Sequence, residues 1–407
     1  YQGICALYLT HPDAEFLLTT FVHLHPDSHW KPNVYLELGG FYYKAKQYSK
    51  CIEWLIKLEE KELRKEEFDA YHYKIGYSHY ISGQKVGSNS NNAASKIEEH
   101  NRLARIHFVK IKDGSSEFAS AANYYYSYLA YLSKDYQVAL DGFLKIKDSK
   151  EFGAVVPYFI AQIYYVQKRY DELLAYAPPL INSEENIKNN YPNANEEIAH
   201  LIGDAYFILE KYAEALPYFD KYHQSPKSSP TREDFYQYGF TLYRNGKFQE
   251  AIGAYNKCAD GQDKMSQLAN YNMGDCYLKQ NQKEYARAYF ETASKMNFDL
   301  NIQEDAMFTY AKLSFELSYN PFHEAITAFE EFLEKYPDSP LHDEAYEFLL
   351  EVYLKSKNYE RALLSLDKIK NKDVKIKTYY QWIAFNRGVE LFQAESFAKS
   401  EEFFQKS

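Results

Sequence analysis

Cysteine is scarce in this chain and never clustered. The four among 407 residues, Cys5, Cys51, Cys258 and Cys276, form no CxxC pair, so the spacing of a zinc ribbon or a thiol redox motif is missing. Three of them fall where the pattern described below wants something small or apolar, and they read as packing residues. No run of about 18 apolar residues occurs, so no helix is expected to span a membrane. Basic charge is in deficit, with 47 Lys and Arg against 57 Asp and Glu and a net charge of −10. That balance argues against a nucleic-acid or anionic-membrane surface, both of which want a basic face.

The motifs of chemistry are missing as well. There is no GxxxxGK[ST] or GxGxxG phosphate loop, no HExxH and no GxSxG, so no catalytic residue, cofactor or metal is assigned. The nearest thing to a ligand set is His23, His25 and His29 in HLHPDSH, which reads as a helix end and a turn. Acidic runs such as FEEFLEK read as solvated helix faces, and Glu330 and Glu331, being adjacent on a helix, do not face each other. The chain opens at Tyr1 without a methionine or signal sequence and closes inside what reads as a second helix. It is expected to be part of something longer.

What the chain does have is tyrosine, 42 of them, and a repeat. Between Ile198 and Met296 the same sentence is written three times: HLIGDAYFILEKYAEALPYFDKY, YQYGFTLYRNGKFQEAIGAYNKC and YNMGDCYLKQNQKEYARAYFETA. Aligned on Gly203, Gly239 and Gly274, the copies carry a bulky residue three places on (Tyr206, Leu242, Tyr277). An alanine lies twelve on (Ala215, Ala251, Ala286), and an aromatic follows four after it (Phe219, Tyr255, Phe290). Small residues on both helices of a pair let the backbones approach, and the rings are expected to fill the space between neighbouring pairs.

A period near 34 residues with these small and large places resembles the tetratricopeptide repeat, a helix–turn–helix unit. The resemblance covers nearly the whole chain. It predicts an all-α solenoid superhelix of about 10–11 repeats, with 21 or 22 helices and essentially no sheet. Residues 1–177 read as an N-terminal array containing a flexible, Ser/Asn-rich insert at 86–95. A longer connection follows at 178–197, where a double proline ends a helix. Residues 198–407 read as a C-terminal array continuous with the first.

In repeats of this kind the first helices line a concave groove, through places three before, one after and four after the small residue. Carried onto this sequence, those places are Tyr73, Tyr77 and Tyr80, then Tyr124, Tyr128 and Tyr131, then Tyr158, Gln162 and Tyr165. The triplet adds His200, Asp204 and Phe207, then Tyr236, Phe240 and Tyr243, then Tyr271, Asp275 and Leu278. The three offsets are four and three apart, so each set shares one helical stripe. Aromatic stripes at this spacing also build cores. Here the core seam is supplied by other residues, such as Ile75, Phe108, Phe143 and Ile146. Tyrosine joins a buried ring to a hydrogen-bonding tip at low entropic cost, as interface anchors do. The Lys and Asn by which some tetratricopeptide modules hold a carboxylate are not at these places.

The resemblance therefore implies a non-enzymatic scaffold that takes an extended or helical protein segment within a multi-protein complex. The Lys-, Asn- and Tyr-rich style looks like extracytoplasmic repeat proteins of Bacteroidetes, which would put it in the periplasm or at the outer membrane, in envelope assembly or secretion. The alternative is a cytoplasmic regulator or adaptor holding a signalling partner or its own tail.

Overall fold

Small residues facing large ones decide how near two helices can come, and here that contact recurs from hairpin to hairpin. The computed structural model describes residues 2–87, 92–181, 194–317, 323–369 and 374–407. Among them are twenty-two α-helices, two 3₁₀ turns and no strand, the all-α repeat architecture anticipated from the period. The helices pair in sequence. They run α1 (Gln2–Tyr8), α2 (Ala14–Leu24), α3 (Lys31–Lys44), α4 (Tyr48–Leu55), α5 (Lys65–Gln84) and α6 (Ala93–Phe108). Then come α7 (Ala119–Leu132), α8 (Tyr136–Ile146), α9 (Val156–Val166), α10 (Tyr170–Tyr176) and α11 (Ala194–Ile208). The series continues with α12 (Tyr212–Gln224), α13 (Arg232–Arg244), α14 (Phe248–Tyr255), α15 (Lys264–Lys279), α16 (Lys283–Lys295) and α17 (Leu300–Leu317). It ends with α18 (His323–Lys335), α19 (His342–Lys355), α20 (Tyr359–Lys368), α21 (Val374–Gln393) and α22 (Phe397–Lys406).

Two compact units result, Tyr1–Ala205 and Tyr206–Ser407. Within the first, α1, α3, α5 and α7 touch in succession; within the second, α13, α15, α17 and α19 do. Of the expected insert at 86–95, residues 88–91 lie outside the described residues, and 93–95 form the first turn of α6. Of the expected connection at 178–197, residues 182–193 lie outside them. Pro178–Leu180 is a 3₁₀ turn, and α11 starts at Ala194.

In four hairpins the seam is a glycine under a ring. A Cβ placed on Gly239 would lie 2.9 Å from the Tyr255 ring, on Gly274 2.9 Å from Phe290, on Gly76 2.9 Å from Phe108, and on Gly388 2.7 Å from Phe404. In the α3–α4 hairpin Leu55 takes the ring's place, 2.3 Å from the same point on Gly39. The aromatic thus presses on the glycine of its own hairpin rather than filling the space towards the next. Beside it the alanines of the second helix, Ala215, Ala251 and Ala286, are fully buried. The α7–α8 pair swaps the roles: Ser127 sits on the first helix and Gly142 on the second, with Ser127 Oγ 1.9 Å from where a Cβ at 142 would be. Cys51, Cys258 and Cys276 are buried in these seams, and burial pushes the Cys258 and Cys276 thiols up to about 11 and about 12, leaving them inert.

The turns between the two helices of a hairpin share one device. Thr10, Lys46, Lys134, Lys168, Glu210, Gly246, Asn281, Lys357 and Glu395 all have φ between 55° and 74°, and only one of them is glycine. In each, the next residue's N–H reaches back five residues, as Gln47 to Tyr42 C=O (2.9 Å) and Asp135 to Ala130 C=O (2.9 Å). Together with the left-handed residue's own N–H, as Lys46 to Tyr43 C=O (3.0 Å), these hydrogen bonds satisfy carbonyls that a helix end leaves open. A non-glycine residue in the left-handed region costs roughly 1–2 kcal/mol.

Between α5 and α6 the apolar seam of Gly76 and Phe108 is flanked by histidines. His72 and His79 on α5, seven residues apart, meet His107 and His100 on α6, also seven apart. The Nδ1 atoms are 2.9 Å apart in the first pair and 3.0 Å in the second. Each pair needs one ring to donate Nδ1–H and the other to accept. Burial is the main cause that lowers His72 and His79 to about 4 and His107 to about 3. Lys110 reinforces it at His72, His100 at His79 and His72 at His107, and at His72 Glu60 opposes it.

Single substitutions and a pH series test this account. Gly239→Ala is expected to lower the urea-unfolding free energy by about 1–2 kcal/mol, because overpacking against Tyr255 outweighs the gain in helix propensity. Gly253→Ala, on α14 with nothing within 4 Å of the new methyl, is expected to raise it by about 0.5–1 kcal/mol. Lys134→Gly is expected to stabilise by about 1 kcal/mol and Gly246→Ala to destabilise by a similar amount, since only the αL strain changes. The histidines predict an acid-side slope. The folded state binds fewer protons than the unfolded one between pH 6.5 and about 4, so stability is intact above 6.5 and falls through that window by on the order of a few kcal/mol. Thermal melts of His72→Leu/His107→Leu across pH 7.5 to 4.5 should show a shallower fall than the parent.

Candidate functional site

Helical periodicity puts the places −3, +1 and +4 from each small residue on one stripe of a first helix, and the structure shows what those stripes meet. All the assigned residues but one are half-buried: Tyr73, Tyr77 and Tyr80 on α5, Tyr124, Tyr128 and Tyr131 on α7, Tyr158, Gln162 and Tyr165 on α9, His200 and Phe207 on α11, Tyr236, Phe240 and Tyr243 on α13, and Tyr271, Asp275 and Leu278 on α15. Asp204 on α11 is buried. The core beneath them is the other set, with Ile75, Phe108 and Phe143 fully buried and Ile146 nearly so.

A rule connects one repeat to the next: the +4 residue of one first helix meets the +1 residue of the following one. In the first unit Tyr43 meets Tyr77 edge-on at 5.8 Å, and Tyr80 meets Tyr128 edge-on at 6.4 Å. Tyr131 donates its hydroxyl to Gln162, and Tyr165 donates to Asp204 Oδ2 at 3.2 Å. The second unit repeats the rule with Phe207 edge-on to Phe240 at 5.9 Å, and with Tyr243 donating to Asp275 at 2.5 Å. These rungs are cohesive, which is why the phenols are half-buried rather than displayed whole.

In the first unit the assigned residues from Tyr73 to Gln162 form a connected set. Tyr73 stacks on Tyr77 (5.9 Å), Tyr77 leans on Tyr80 (6.2 Å), and Tyr124 stacks on Tyr128 (6.2 Å) and on Phe152 (4.4 Å). Tyr128 and Tyr131 both rest edge-on against Phe159, and Gln162 Nε2 donates to the Tyr158 hydroxyl at 2.6 Å. Burial pushes the Tyr73 hydroxyl up to about 12 and raises Tyr80 and Tyr131, so these phenols stay protonated and can donate as well as accept. In the second unit the three assigned tyrosines have separate partners. Tyr236 accepts from Asn272 Nδ2 at 3.2 Å, Tyr243 holds Asp275, and Tyr271 donates to Asp305 at 2.5 Å. Burial, seconded by those carboxylates, pushes Tyr243 up to about 12 and raises Tyr271.

Some members of the set were not singled out from the sequence. Tyr43 stands at the +4 place of Gly39 and was findable by the same register. Tyr125, which touches Tyr77 at 5.2 Å and Tyr80 at 4.9 Å, lies between the stripes and had no such signal. The histidines of HLHPDSH do not converge: His25 leans on Phe21 and His29 on Trp30, and all three are exposed. Among the described residues no group of three or more His, Cys, Asp or Glu side chains is gathered as a metal would need, and no helix is long and apolar enough to cross a membrane.

Residues 200–293 match the family described as anaphase-promoting complex, cyclosome, subunit 3, and residues 320–373 match a tetratricopeptide repeat family. No curated protein matches the chain. Among solved structures it is similar to YrrB, a TPR protein with an unusual peptide-binding site, at 16% identity over 50% of this chain and 97% of that one, TM-score 0.38. It is also similar to a Rap protein complexed with competence and sporulation factor (12% identity, 92% and 96% covered, TM-score 0.28). Human IFIT1 with PPP-AAAA is a third (13% identity, 97% and 84% covered, TM-score 0.30). With hairpin after hairpin closed by a small residue under a large one, and with two repeat families matched over parts of its length, the chain has an all-α fold of the tetratricopeptide-repeat type.

Proposed function

We propose that this protein is a protein–protein interaction scaffold that holds a partner segment along the first-helix tyrosines of its first unit. The observation that carries the reading is the connected run from Tyr73 to Gln162. It offers half-buried rings to an apolar side chain, and protonated hydroxyls at their edges to a partner's backbone. No positive charge is placed on this run, which suits an extended or Pro-containing segment, or a helix, more than an acidic tail. As a setting we propose an envelope assembly or secretion complex, on the strength of the Tyr-, Lys- and Asn-rich repeat style. Fractionating cells that express the tagged full-length protein tests that setting: recovery in the cytosol alone would rule it out.

Co-purification followed by mass spectrometry identifies the partner, whose binding segment then serves as ligand. Replacing Tyr124, Tyr128 and Tyr158 together by alanine is expected to weaken binding at least tenfold, because ring contacts of about 1–2 kcal/mol each are lost. Loss of the Tyr124 stack on Phe152 should also lower the melting temperature by several degrees. The same three positions changed to phenylalanine keep the rings and the fold, so any loss there reports hydroxyl recognition. A folded alanine variant that binds its partner with parental affinity would refute the assignment.

A further inference from the structure

In a chain that carries ten more negative than positive charges, one cleft of the first unit has the opposite sign. It opens where the α3–α4 turn meets the end of α5 and the start of α6, and has a volume of about 620 Å³. Lys46, Lys50, Lys85, His79 and His100 line it, with Ser49 and Ser82, and no Asp or Glu is among the lining residues. Like charges gathered this way repel, and a bound anion relieves that repulsion.

Two of the three lysines are held in place by contacts of their ammonium groups. Lys46 is the left-handed residue of its turn, so the turn fixes where its side chain leaves the backbone. Lys85 Nζ sits 5.3 Å over the Tyr48 ring, and Lys50 Nζ is 3.3 Å from Glu15 and 3.4 Å from the Tyr42 hydroxyl. Gly83 lets α6 close on α5, since a Cβ there would meet His100 Cβ at 3.2 Å, and this closeness brings His100 against His79. In this pair one Nδ1–H is spent on the other ring, so the accepting ring carries its own proton on Nε2 as a further donor. The Lys46 and Lys85 ammonium groups, an imidazole N–H and two serine hydroxyls, with the Lys50 ammonium shared with Glu15, make a donor set for a group with three or four oxygens and two charges, more than for a two-oxygen carboxylate.

We infer that this cleft binds a phosphate-class oxyanion. The site borders the tyrosine run, with Tyr48 ring-to-ring at 6.1 Å from Tyr43 and 5.8 Å from Tyr77, but it uses none of the residues assigned there. The phosphoryl group is either free, as phosphate or pyrophosphate, or carried on a side chain.

Calorimetry on the full chain at pH 7.5 and low salt, with sodium pyrophosphate, sodium phosphate and N-acetyl-phosphoserine amide as probes, tests the inference. Pyrophosphate is expected to bind at one equivalent, and Lys46→Asn/Lys85→Gln to weaken it at least tenfold. Lys134→Asn/Lys168→Asn, which removes lysines from the same turn position in two other repeats, is expected to leave it unchanged. Tighter binding of the phosphoserine probe than of phosphate assigns a modified side chain as the source; the reverse order assigns the free anion. Equal affinity for parent and Lys46→Asn/Lys85→Gln, or an equal loss in the Lys134→Asn/Lys168→Asn control, overturns the site. So does the wild-type protein alone, if pyrophosphate moves no ring-proton NMR signal of His79 or His100.

Discussion

A hydrogen atom in place of a methyl group is the contact on which the rest of the architecture depends. At Gly76, Gly239, Gly274 and Gly388 a phenyl or phenol ring occupies the volume that any other side chain would need. The pair of helices can then close to a distance at which the second helix's alanine is sealed off from water. With that distance fixed, the first helix has only one face left for its neighbours, and the tyrosines fall on it. The seam therefore comes before the surface, physically as well as in sequence order.

The surface so produced serves two ends at once. A phenol ring covers its neighbour's ring while its hydroxyl reaches the next repeat's Gln162, Asp204 or Asp275. Such a residue cannot be sorted cleanly into core or binding site. Its buried half contributes cohesion of the kind measured for aromatic pairs, and its exposed half is preorganised because that cohesion has already fixed the rotamer. A partner binding there would find rings whose ordering entropy was lost on folding.

Much of this was legible from the residues. The spacing of Gly203, Gly239 and Gly274 was enough to place helix after helix, because the same small-for-large demand repeats and each copy votes for it. The stripe offsets followed from 3.6 residues per turn, so Tyr77, Tyr128 and Gln162 could be grouped before any coordinates. What the period does not encode is which hydroxyl finds which acceptor, since that depends on the stagger between neighbouring first helices. Tyr125 escaped because it sits between stripes and joins the set only through side chains of another helix. The histidine pairs escaped for a different reason. Each pair is split between α5 and α6, whose connection is lengthened by the insert, and the seven-residue echo of 72 with 79 and 100 with 107 is weak on its own.

The rungs described above also share a range: each joins a hairpin only to the one before or after it. Nothing in either unit has to wait for chain ends that are far apart in sequence to meet. Ordering can then begin at any well-sealed hairpin and spread outward, adding one seam at a time. Run backwards, the same geometry means that a force applied at an end would peel the helices away pair by pair. The interior hairpins would keep their shape until the zipper reached them.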